Sequence, residues 1–420
     1  MRELAGHSHS ARRVARACAT AAVSITATVL AVPAGGVAQA PAGFDDAWTE
    51  VADRFHGTLE REGVVGGALW FLRGDETLAT EFHGFADLET GRLVDENTIF
   101  HWASITKTLT GIAIMQLRDR GLLSLDDPVV RYLPELRLVH DPFGPVDAIT
   151  IRHLMTHSAG FRAGTWPWGG DEPWHPFEPT EWAQIVAMLP YTQVRFEPGS
   201  RYSYSNPGIL FLGQVVERLS GEPYETYVDK NILRPLGMRR SYFDRTPPYL
   251  LPDRSNSYAV RDGEPVANGL DFDTGITVSN SGLNAPIPDM ARYLAFLAGD
   301  AAARPADELV LARSSLDEMW KPALDVAAGT DPSAEAAPAR TREAIGLVFF
   351  LLERGPVRLV GHTGDQRSFR SFFYLDPATG AAAIAVLNTD RGTEADRPDA
   401  GAILARLRSD LVQRVFPLFR

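Results

Sequence analysis

The stretch Ser104-Ile105-Thr106-Lys107 places a serine three residues before a lysine, where a helical pattern over residues 105–120 begins. Apolar residues recur in that pattern at helical spacing: Leu109, Ile112, Ala113 and Leu117. Residues at positions i and i+3 of a helix share one face, so the two polar side chains should meet. A neighbouring amine whose pKa is lowered by burial or by other cations can take the proton of a serine hydroxyl. The spacing therefore makes Ser104 a candidate nucleophile and Lys107 its candidate base.

The scarcity of lysine makes this spacing more informative than it would be in an average protein. Only three of the 41 basic residues are lysines, and the chain has 21 serines among 420 residues, so about 0.15 chance matches are expected. Lys230 and Lys321 are preceded at the same distance by tyrosine and glutamate. The motif alone leaves open that Ser104 and Lys107 are ordinary solvated residues of a helix.

Two further short motifs carry groups that such a serine would need. Tyr204-Ser205-Asn206 precedes a helical pattern over residues 207–219, and a tyrosine beside an ammonium group can act as an acid or a base. The amide of Asn206 can bind a substrate, although it can equally cap the helix ahead of Pro207. Gly361-His362-Thr363-Gly364-Asp365 lies at the end of the strand predicted over 357–360, and its small residues would let a substrate lie along the strand edge.

Taken together and in this order, the three motifs resemble the serine β-lactamase and penicillin-binding-protein superfamily. The similarity is greatest to the class C β-lactamase-like branch, which also contains DD-peptidases, D-aminopeptidases and family VIII esterases. Other matching stretches are 154–160, 196–199 and 289–292, and the resemblance covers residues 45–415.

The resemblance implies a role for each motif residue. Ser104 would form an acyl-enzyme, while Lys107 and Tyr204 exchange its proton as a coupled pair, with the acylation base left open. The oxyanion hole would be the N–H groups of Ser104 and Asp365. The substrate-binding residues implied by the family are Asn206, His362, Thr363, Gly364 and Asp365. No metal and no organic cofactor is implied.

Two residues depart from the pattern of efficient β-lactamases. His362 stands where those enzymes carry lysine, and a histidine with a pKa near its ordinary value of about 6.5 is mostly neutral at pH 7. Asp365 occupies a position that is usually small, where an anionic side chain would oppose anionic substrates. Arg367 and Arg370 are expected to lie on a solvated strand face rather than to compensate. Both departures weigh against penicillins and cephalosporins as natural substrates.

The order of predicted elements indicates an α+β fold with an antiparallel sheet flanked by helices. A helix over residues 44–59 and two strands over 66–72 and 77–85 come first, helices dominate the middle, and strands return at 347–352, 357–360, 369–375 and 381–387 before a closing helix over 400–416. Early and late strands must then share one sheet. We predict a β-lactamase/DD-peptidase-like domain over 41–420, with an α/β lobe of about 41–100 and 270–420 and a helical lobe of about 101–269.

Residues 1–40 have the layout of a secretory signal peptide. Arginines are followed by an apolar stretch over 17–32 and by small residues ending Ala38-Gln39-Ala40, while 32–34 offers a second cleavage site. The stretch is too short to be a stable membrane span. The sole cysteine, Cys18, belongs to this leader, so disulfides and cysteine-ligated zinc are excluded from the mature chain. The net charge of -12 argues against nucleic acid as a partner.

Other candidate sites are weaker. Ser158, in Thr156-His157-Ser158-Ala159-Gly160, lacks the first glycine and the preceding strand of a nucleophile elbow. His153 and His157 are spaced i, i+4 but have no H-E-x-x-H frame, so no metal site is predicted. Residues 161–182 are rich in tryptophan and form either a wall for an apolar acyl group or a packed loop.

We therefore expect a secreted or periplasmic serine hydrolase that cleaves an ester or amide bond in a small-molecule or peptide substrate. A carboxylesterase and a D-amino-acid peptidase are the first two alternatives. A β-lactamase is the third, and a penicillin-binding sensor that is acylated without turnover is the fourth.

Overall fold

The computed structural model describes residues 40–161, 179–270, 272–299, 305–326, 341–390 and 399–420, with the side chains of 305–307 excepted. Of the predicted leader only Ala40 is described. The centre of the tryptophan-rich stretch, residues 162–178, also lies outside the described residues.

In the described part of the chain, a nine-stranded antiparallel sheet is the centre of the fold, and it joins early and late strands of the sequence. The first group is β1 (Gly66–Arg73), β2 (Glu76–Asp87) and β3 (Arg92–Leu93). The late group is β9 (Leu324–Asp325), β10 (Arg342–Ile345), β11 (Phe350–Arg354), β12 (Val357–Gln366), β13 (Phe369–Leu375) and β14 (Ala381–Leu387). The strand order is β3-β2-β1-β14-β13-β12-β11-β10-β9, so β1 and β14 join the two groups.

Six short strands among the described residues form two further three-stranded sheets. These strands are β4 (Ile99–His101), β5 (Tyr242–Phe243), β6 (Tyr258–Arg261), β7 (Glu264–Ala267), β8 (Leu283–Pro286) and β15 (Thr389–Asp390). Strand β4 leads directly into the Ser104 stretch, and its pairing with β8 fixes that stretch relative to residues 284–286.

Helices lie on both faces of the main sheet. Those in the first half of the chain are α1 (Phe44–Glu62), α2 (Thr106–Asp119), α3 (Ile151–Met155), α4 (Trp182–Met188), α5 (Asn206–Ser220) and α6 (Tyr224–Val228). The later ones are α7 (Arg234–Leu236), α8 (Val278–Ser281), α9 (Ile287–Ala298), α10 (Pro305–Val310), α11 (Arg313–Met319) and α12 (Ala400–Asp410). None of the described helices is both long enough and apolar enough to span a bilayer.

The alternation of side chains along β13 shows how the sheet separates two cores. Phe372 and Tyr374 pack against α1 and α12, whereas Phe373 and Leu375 pack against the face that carries α2 and α5. Successive residues of a strand point to opposite faces, so each strand contributes to both cores. We call the first side the α1/α12 face and the second the α2 face.

The α+β fold class with an antiparallel sheet flanked by helices is confirmed. The predicted strands 369–375 and 381–387 match β13 and β14. The predicted first helix matches α1, in which Phe44, Trp48, Val51, Phe55 and Leu59 are all buried. Two strand predictions need correction. Residues 347–349 precede β11 in a turn where Val348 has φ 61°, and β12 continues six residues past Val360. The boundaries of the two predicted lobes stay a prediction.

Candidate active site

Ser104 lies in a 3-10 turn, Ala103–Ile105, that runs into α2. Ala103 has φ 47°, in the left-handed region that residues with a Cβ seldom adopt. The residues on either side of Ser104 are buried, whereas Ser104 itself is partly exposed. This turn therefore presents the hydroxyl to solvent from an otherwise buried segment.

Lys107 is fully buried, and its Nζ donates hydrogen bonds to Ser104 Oγ at 2.9 Å and to the carbonyl oxygen of Asn280 at 3.0 Å. The 3-10 turn continues into α2, so Ser104 and Lys107 lie about one helical turn apart on the same face, which explains the direct contact. The hydroxyl and amine that the sequence paired are thus within proton-transfer distance.

Tyr204 also lies close to the lysine, with its ring centroid 5.1 Å from Lys107 Nζ. The N-cap of α5 is Ser205, whose Oγ accepts a hydrogen bond from the N–H of Gly208 at 3.1 Å. Asn206 is therefore not needed as the helix cap. Its Oδ1 is buried and has no hydrogen-bond partner among the described residues, so the amide remains a candidate for binding substrate.

Strand β12 presents an open main-chain edge next to Ser104. It pairs with β11 only up to Gly361, but with β13 as far as Gln366. The two-residue turn Arg367-Ser368 has φ 50° and 63°, so Gln366 and Phe369 form the hydrogen-bonded pair that closes the hairpin. Hydrogen-bonded pairs alternate along an antiparallel ladder, so Thr363 and Asp365 direct their N–H and C=O groups to the open edge.

Gly364 fixes how closely this strand approaches the serine. A Cβ at position 364 would lie under 3.0 Å from both the carbonyl oxygen of Trp102 and Ser371 Oγ. Only a glycine lets β12 pack directly on the residue that precedes Ala103. The Asp365 N–H consequently lies beside the Ser104 turn, where the resemblance places the second oxyanion donor.

The side chain of Asp365 lies on the α1/α12 face, away from Ser104. Its carboxylate pairs with Arg370, which also binds Asp390 at 2.6 Å. Asp365 shares a small pocket there with Leu404 and Arg408 of α12. The expectation that Asp365 repels anionic substrates, and that Arg370 is merely solvated, is therefore wrong. Strand alternation sends the carboxylate to the opposite face and Arg370 neutralises it.

His362 is buried at the base of the site and cannot act as an exposed cation. Its exposed fraction is 0%, its ring packs 5.0 Å from that of Phe350, and its Nδ1 lies 2.6 Å from the carbonyl oxygen of Thr363. A carbonyl only accepts, so Nδ1 carries the proton. Burial and the nearby Lys107 lower the pKa of His362 to about 3.

His101, three residues before Ser104, belongs to a buried polar network that joins β4 to the end of β12. Its ring nitrogens lie 3.1 Å from Asn284 Oδ1 and 2.9 Å from Gln366 Oε1. The Asn284 amide in turn donates to the carbonyl oxygen of Asp244 at 3.2 Å. Burial lowers the pKa of His101 to about 4 and raises that of Asp244 to about 7. Both ring nitrogens of His101 are therefore engaged within the fold, which gives His101 a structural role rather than contact with a substrate.

These two pKa shifts predict opposite pH dependences of stability. Between pH 6.5 and 4 the unfolded chain binds a proton at His101 that the folded chain does not, so His101 destabilises the fold as pH falls. Between pH 3.8 and 7 folded Asp244 keeps a proton that the unfolded chain has released, so Asp244 destabilises the fold as pH rises. Each effect has a limiting slope of about 1.4 kcal/mol per pH unit.

Urea unfolding of His101→Gln, Asp244→Asn and the wild type, from pH 4 to 7, measures both effects. Relative to the wild type, His101→Gln should gain stability as pH falls, and Asp244→Asn should gain it as pH rises. Differences that stay constant across this range, or that share one sign, would contradict the assigned pKa shifts.

The structure also places residues that the sequence did not single out. Asn280 accepts the second hydrogen bond of Lys107, and its own side-chain amide is buried with no partner among the described residues. No sequence motif indicated it. Ser158 is buried against Thr156 Oγ1 at 2.8 Å, which does not suit a nucleophile. Within the described ranges, no group of three or more His, Cys, Asp or Glu side chains is arranged to hold a metal.

Comparisons with known proteins identify the family of this chain. The family model described as Beta-lactamase matches residues 51–408. Esterase EstB from Burkholderia gladioli is 36% identical over 198 residues, which cover 44% of this chain and 48% of that protein. The chain thus spans about half the length of the curated relatives it matches.

Two solved structures share the fold over most of this chain. The octameric penicillin-binding protein homologue from Pyrococcus abyssi has a TM-score of 0.67 and 25% identity, covering 87% of this chain and 77% of that one. The D-amino acid amidase from Ochrobactrum anthropi SV3, complexed with L-phenylalanine, has a TM-score of 0.68 and 21% identity. Its match covers 87% of this chain and 98% of the amidase.

Proposed function

Since this chain belongs to the beta-lactamase family, we propose that it is a serine hydrolase that cleaves an ester or amide bond through an acyl-enzyme on Ser104. The observation that carries the proposal is the 2.9 Å hydrogen bond between Lys107 Nζ and the partly exposed Ser104 Oγ. The second contact of Nζ, to the carbonyl oxygen of Asn280, keeps the amine directed at the hydroxyl.

The reaction follows from these positions. Ser104 Oγ attacks the substrate carbonyl while its proton passes to the Lys107–Tyr204 pair, and the N–H groups of Ser104 and Asp365 stabilise the oxyanion. The bond to the alcohol or amine then breaks, and the leaving group takes the proton from the pair. Water attacks the acyl-enzyme by the same route, which releases the acid and restores the Ser104 hydroxyl.

The environment of the cleft favours an uncharged substrate, and we place carboxylesterase activity first. His362 is neutral and holds the Thr363 carbonyl. Arg370 is bound to Asp365 and Asp390, and the Arg367 guanidinium lies 4.7 Å from the ring of Phe272. His362, Arg367 and Arg370, the three basic residues within 361–370, thus all have partners within the protein. A carboxylated β-lactam would gain little from them.

The names of two similar proteins cover the two kinds of bond in this proposal, the ester and the amide. EstB is named an esterase, and the Ochrobactrum protein acts on D-amino acid amides by its name. Hydrolysis of an unbranched acyl ester needs only the nucleophile, the proton acceptor and the oxyanion hole. A D-amino-acid peptidase, a β-lactamase and a penicillin-binding sensor acylated without turnover are the remaining alternatives.

A substrate panel with active-site labelling tests this proposal. The panel contains p-nitrophenyl esters, nitrocefin, a D-Ala-D-Ala peptide and a D-amino-acid anilide, and a fluorophosphonate probe is located by peptide mass spectrometry. We expect steady turnover of short-chain esters, with nitrocefin at least ~10-fold slower in kcat/KM, and the label on Ser104. A burst without turnover would instead identify a sensor. A label on another serine would overturn the mechanism.

We further propose that the protein is exported by its first forty residues and acts outside the cytoplasm. The proposal rests on the basic start, the apolar stretch and the small residues before Ala40. N-terminal sequencing of protein from the periplasm or medium should find a chain starting after Ala40 or Ala34. Intact chain with Met1 confined to the cytoplasm would contradict export.

A further inference from the structure

His157 holds the main chain on both sides of Tyr204. Its carbonyl oxygen accepts a hydrogen bond from the N–H of Ser203 at 2.8 Å, and its Nδ1 accepts one from the N–H of Ser205 at 3.1 Å. A single residue, His157, thus accepts a hydrogen bond from the residue before Tyr204 and from the residue after it. They fix the direction in which Tyr204 leaves the backbone.

The imidazole ring also packs on the tyrosine ring. The two ring centroids are 4.6 Å apart with an interplanar angle of 33°, while Lys107 Nζ lies 5.1 Å from the same tyrosine ring. His362 lies further off, at 6.4 Å between centroids. The tyrosine ring therefore contacts the His157 ring and lies close to Lys107, and a shift of the histidine ring would move the phenol relative to Lys107.

This arrangement is energetically unfavourable for His157 itself. Its φ of 51° lies in the left-handed region, which costs on the order of 1 kcal/mol for a residue with a Cβ. Because Nδ1 accepts from Ser205, the neutral ring carries its proton on Nε2. That buried N–H has no partner among the described residues, at a cost of roughly 1–3 kcal/mol. Unfavourable terms of this kind concentrate at functional sites.

We propose that His157 is a positioning residue that holds Tyr204 against Lys107 for proton transfer in the hydrolysis. The inference rests on the proposed function, since it concerns the geometry of the same acyl-transfer site. His157 acts through Tyr204 and needs no contact with the substrate.

Two substitutions at position 157 test this role. Alanine removes the acceptor and the ring, so kcat of His157→Ala should fall about 100-fold, with KM within threefold. Asparagine tolerates a positive φ, and its Oδ1 can replace Nδ1 as the acceptor of the Ser205 N–H. The kcat of His157→Asn should therefore be at least tenfold higher than that of His157→Ala. Rates are normalised to the fraction of Ser104 labelled by fluorophosphonate, which removes losses caused by misfolding.

The pH profile separates positioning from a merely structural role. Displacing Tyr204 from Lys107 changes their coupled titration, so the midpoint pH of the kcat/KM profile should shift in His157→Ala. A merely structural role would instead lower kcat/KM by the same factor at every pH. His153→Ala is the matched control. His153 lies four residues earlier and its Nδ1 accepts from the N–H of Thr150 at the start of α3. Its loss should lower Tm but leave the normalised kcat and the profile unchanged.

Three outcomes would overturn the role of His157. They are a normalised kcat for His157→Ala within threefold of wild type, a superimposable pH profile, or an asparagine variant as impaired as the alanine one. The proposed function fails differently, because the wild type itself would then show neither ester turnover nor labelling of Ser104.

Discussion

Ser104→Ala is expected to lower kcat/KM by at least ~10⁴-fold for every substrate that the wild type hydrolyses. Alanine cannot form the acyl-enzyme, while Lys107, Tyr204 and the strand edge stay in place. The residual rate would come from binding and the oxyanion donors alone. The variant should fold, since it loses only a partly exposed hydroxyl, and fluorophosphonate should no longer label it.

Ser158→Ala is the matched control for this substitution. Its hydroxyl is buried in the motif that most resembles a nucleophile elbow, and it contacts Thr156 Oγ1 rather than Lys107. We expect kcat/KM within threefold of wild type and a small loss of Tm. Retained turnover in Ser104→Ala, or loss of turnover in Ser158→Ala, would assign the nucleophile to another residue.

The sequence was sufficient for the Ser104–Lys107 contact because the two residues lie about one turn apart in a continuous helical segment. Local spacing determines such a contact almost alone. Tyr204 is different, since nearly a hundred residues separate it from Lys107, and only the family resemblance linked them. Asn280 carried no signal, because Lys107 contacts its main-chain oxygen and any residue supplies that atom.

The direction of side chains on β12 was the main feature that the sequence left undetermined. Residues 361–366 are small or polar, so no apolar alternation marks which side faces the core, and the predicted strand stopped at Val360. A one-residue change of register would exchange Gly364 and Asp365 between the two faces. Pairing with β13 sets the register observed here, and it places the Asp365 carboxylate beside Arg370.

The fold class was more accessible because it depends on many weak signals that agree. Apolar runs with turn residues between them locate β1, β2, β13 and β14, which are four neighbouring strands of the main sheet. The short strands β9 and β10 lie at one edge of this sheet, on either side of residues 327–340 in the sequence. They have few apolar residues, and no sequence pattern indicated either strand. Edge elements are determined by their neighbours more than by their own sequence.

Gly364→Ala should lower kcat/KM by at least ~10²-fold with little change in KM. The added methyl would lie under 3.0 Å from the Trp102 carbonyl oxygen, which accepts the N–H of Ile105 and therefore cannot rotate away cheaply. Strand β12 must then retreat from the Ser104 turn and take the Asp365 N–H with it. Loss of one oxyanion donor costs about 10²–10³ in kcat. The overpacking should also lower the free energy of unfolding by about 1–3 kcal/mol.

Gly57→Ala separates the local effect from the general effect of replacing a glycine. Gly57 lies within α1, and a Cβ there meets nothing within 4 Å, so alanine should leave kcat/KM unchanged and stabilise the helix by up to ~1 kcal/mol. The ester assay, urea unfolding and the rate of fluorophosphonate labelling distinguish the two variants. If Gly364→Ala loses stability but keeps the labelling rate, the strand edge does not supply the oxyanion donor. If it keeps both, β12 does not pack on the Ser104 turn as closely as the structure shows.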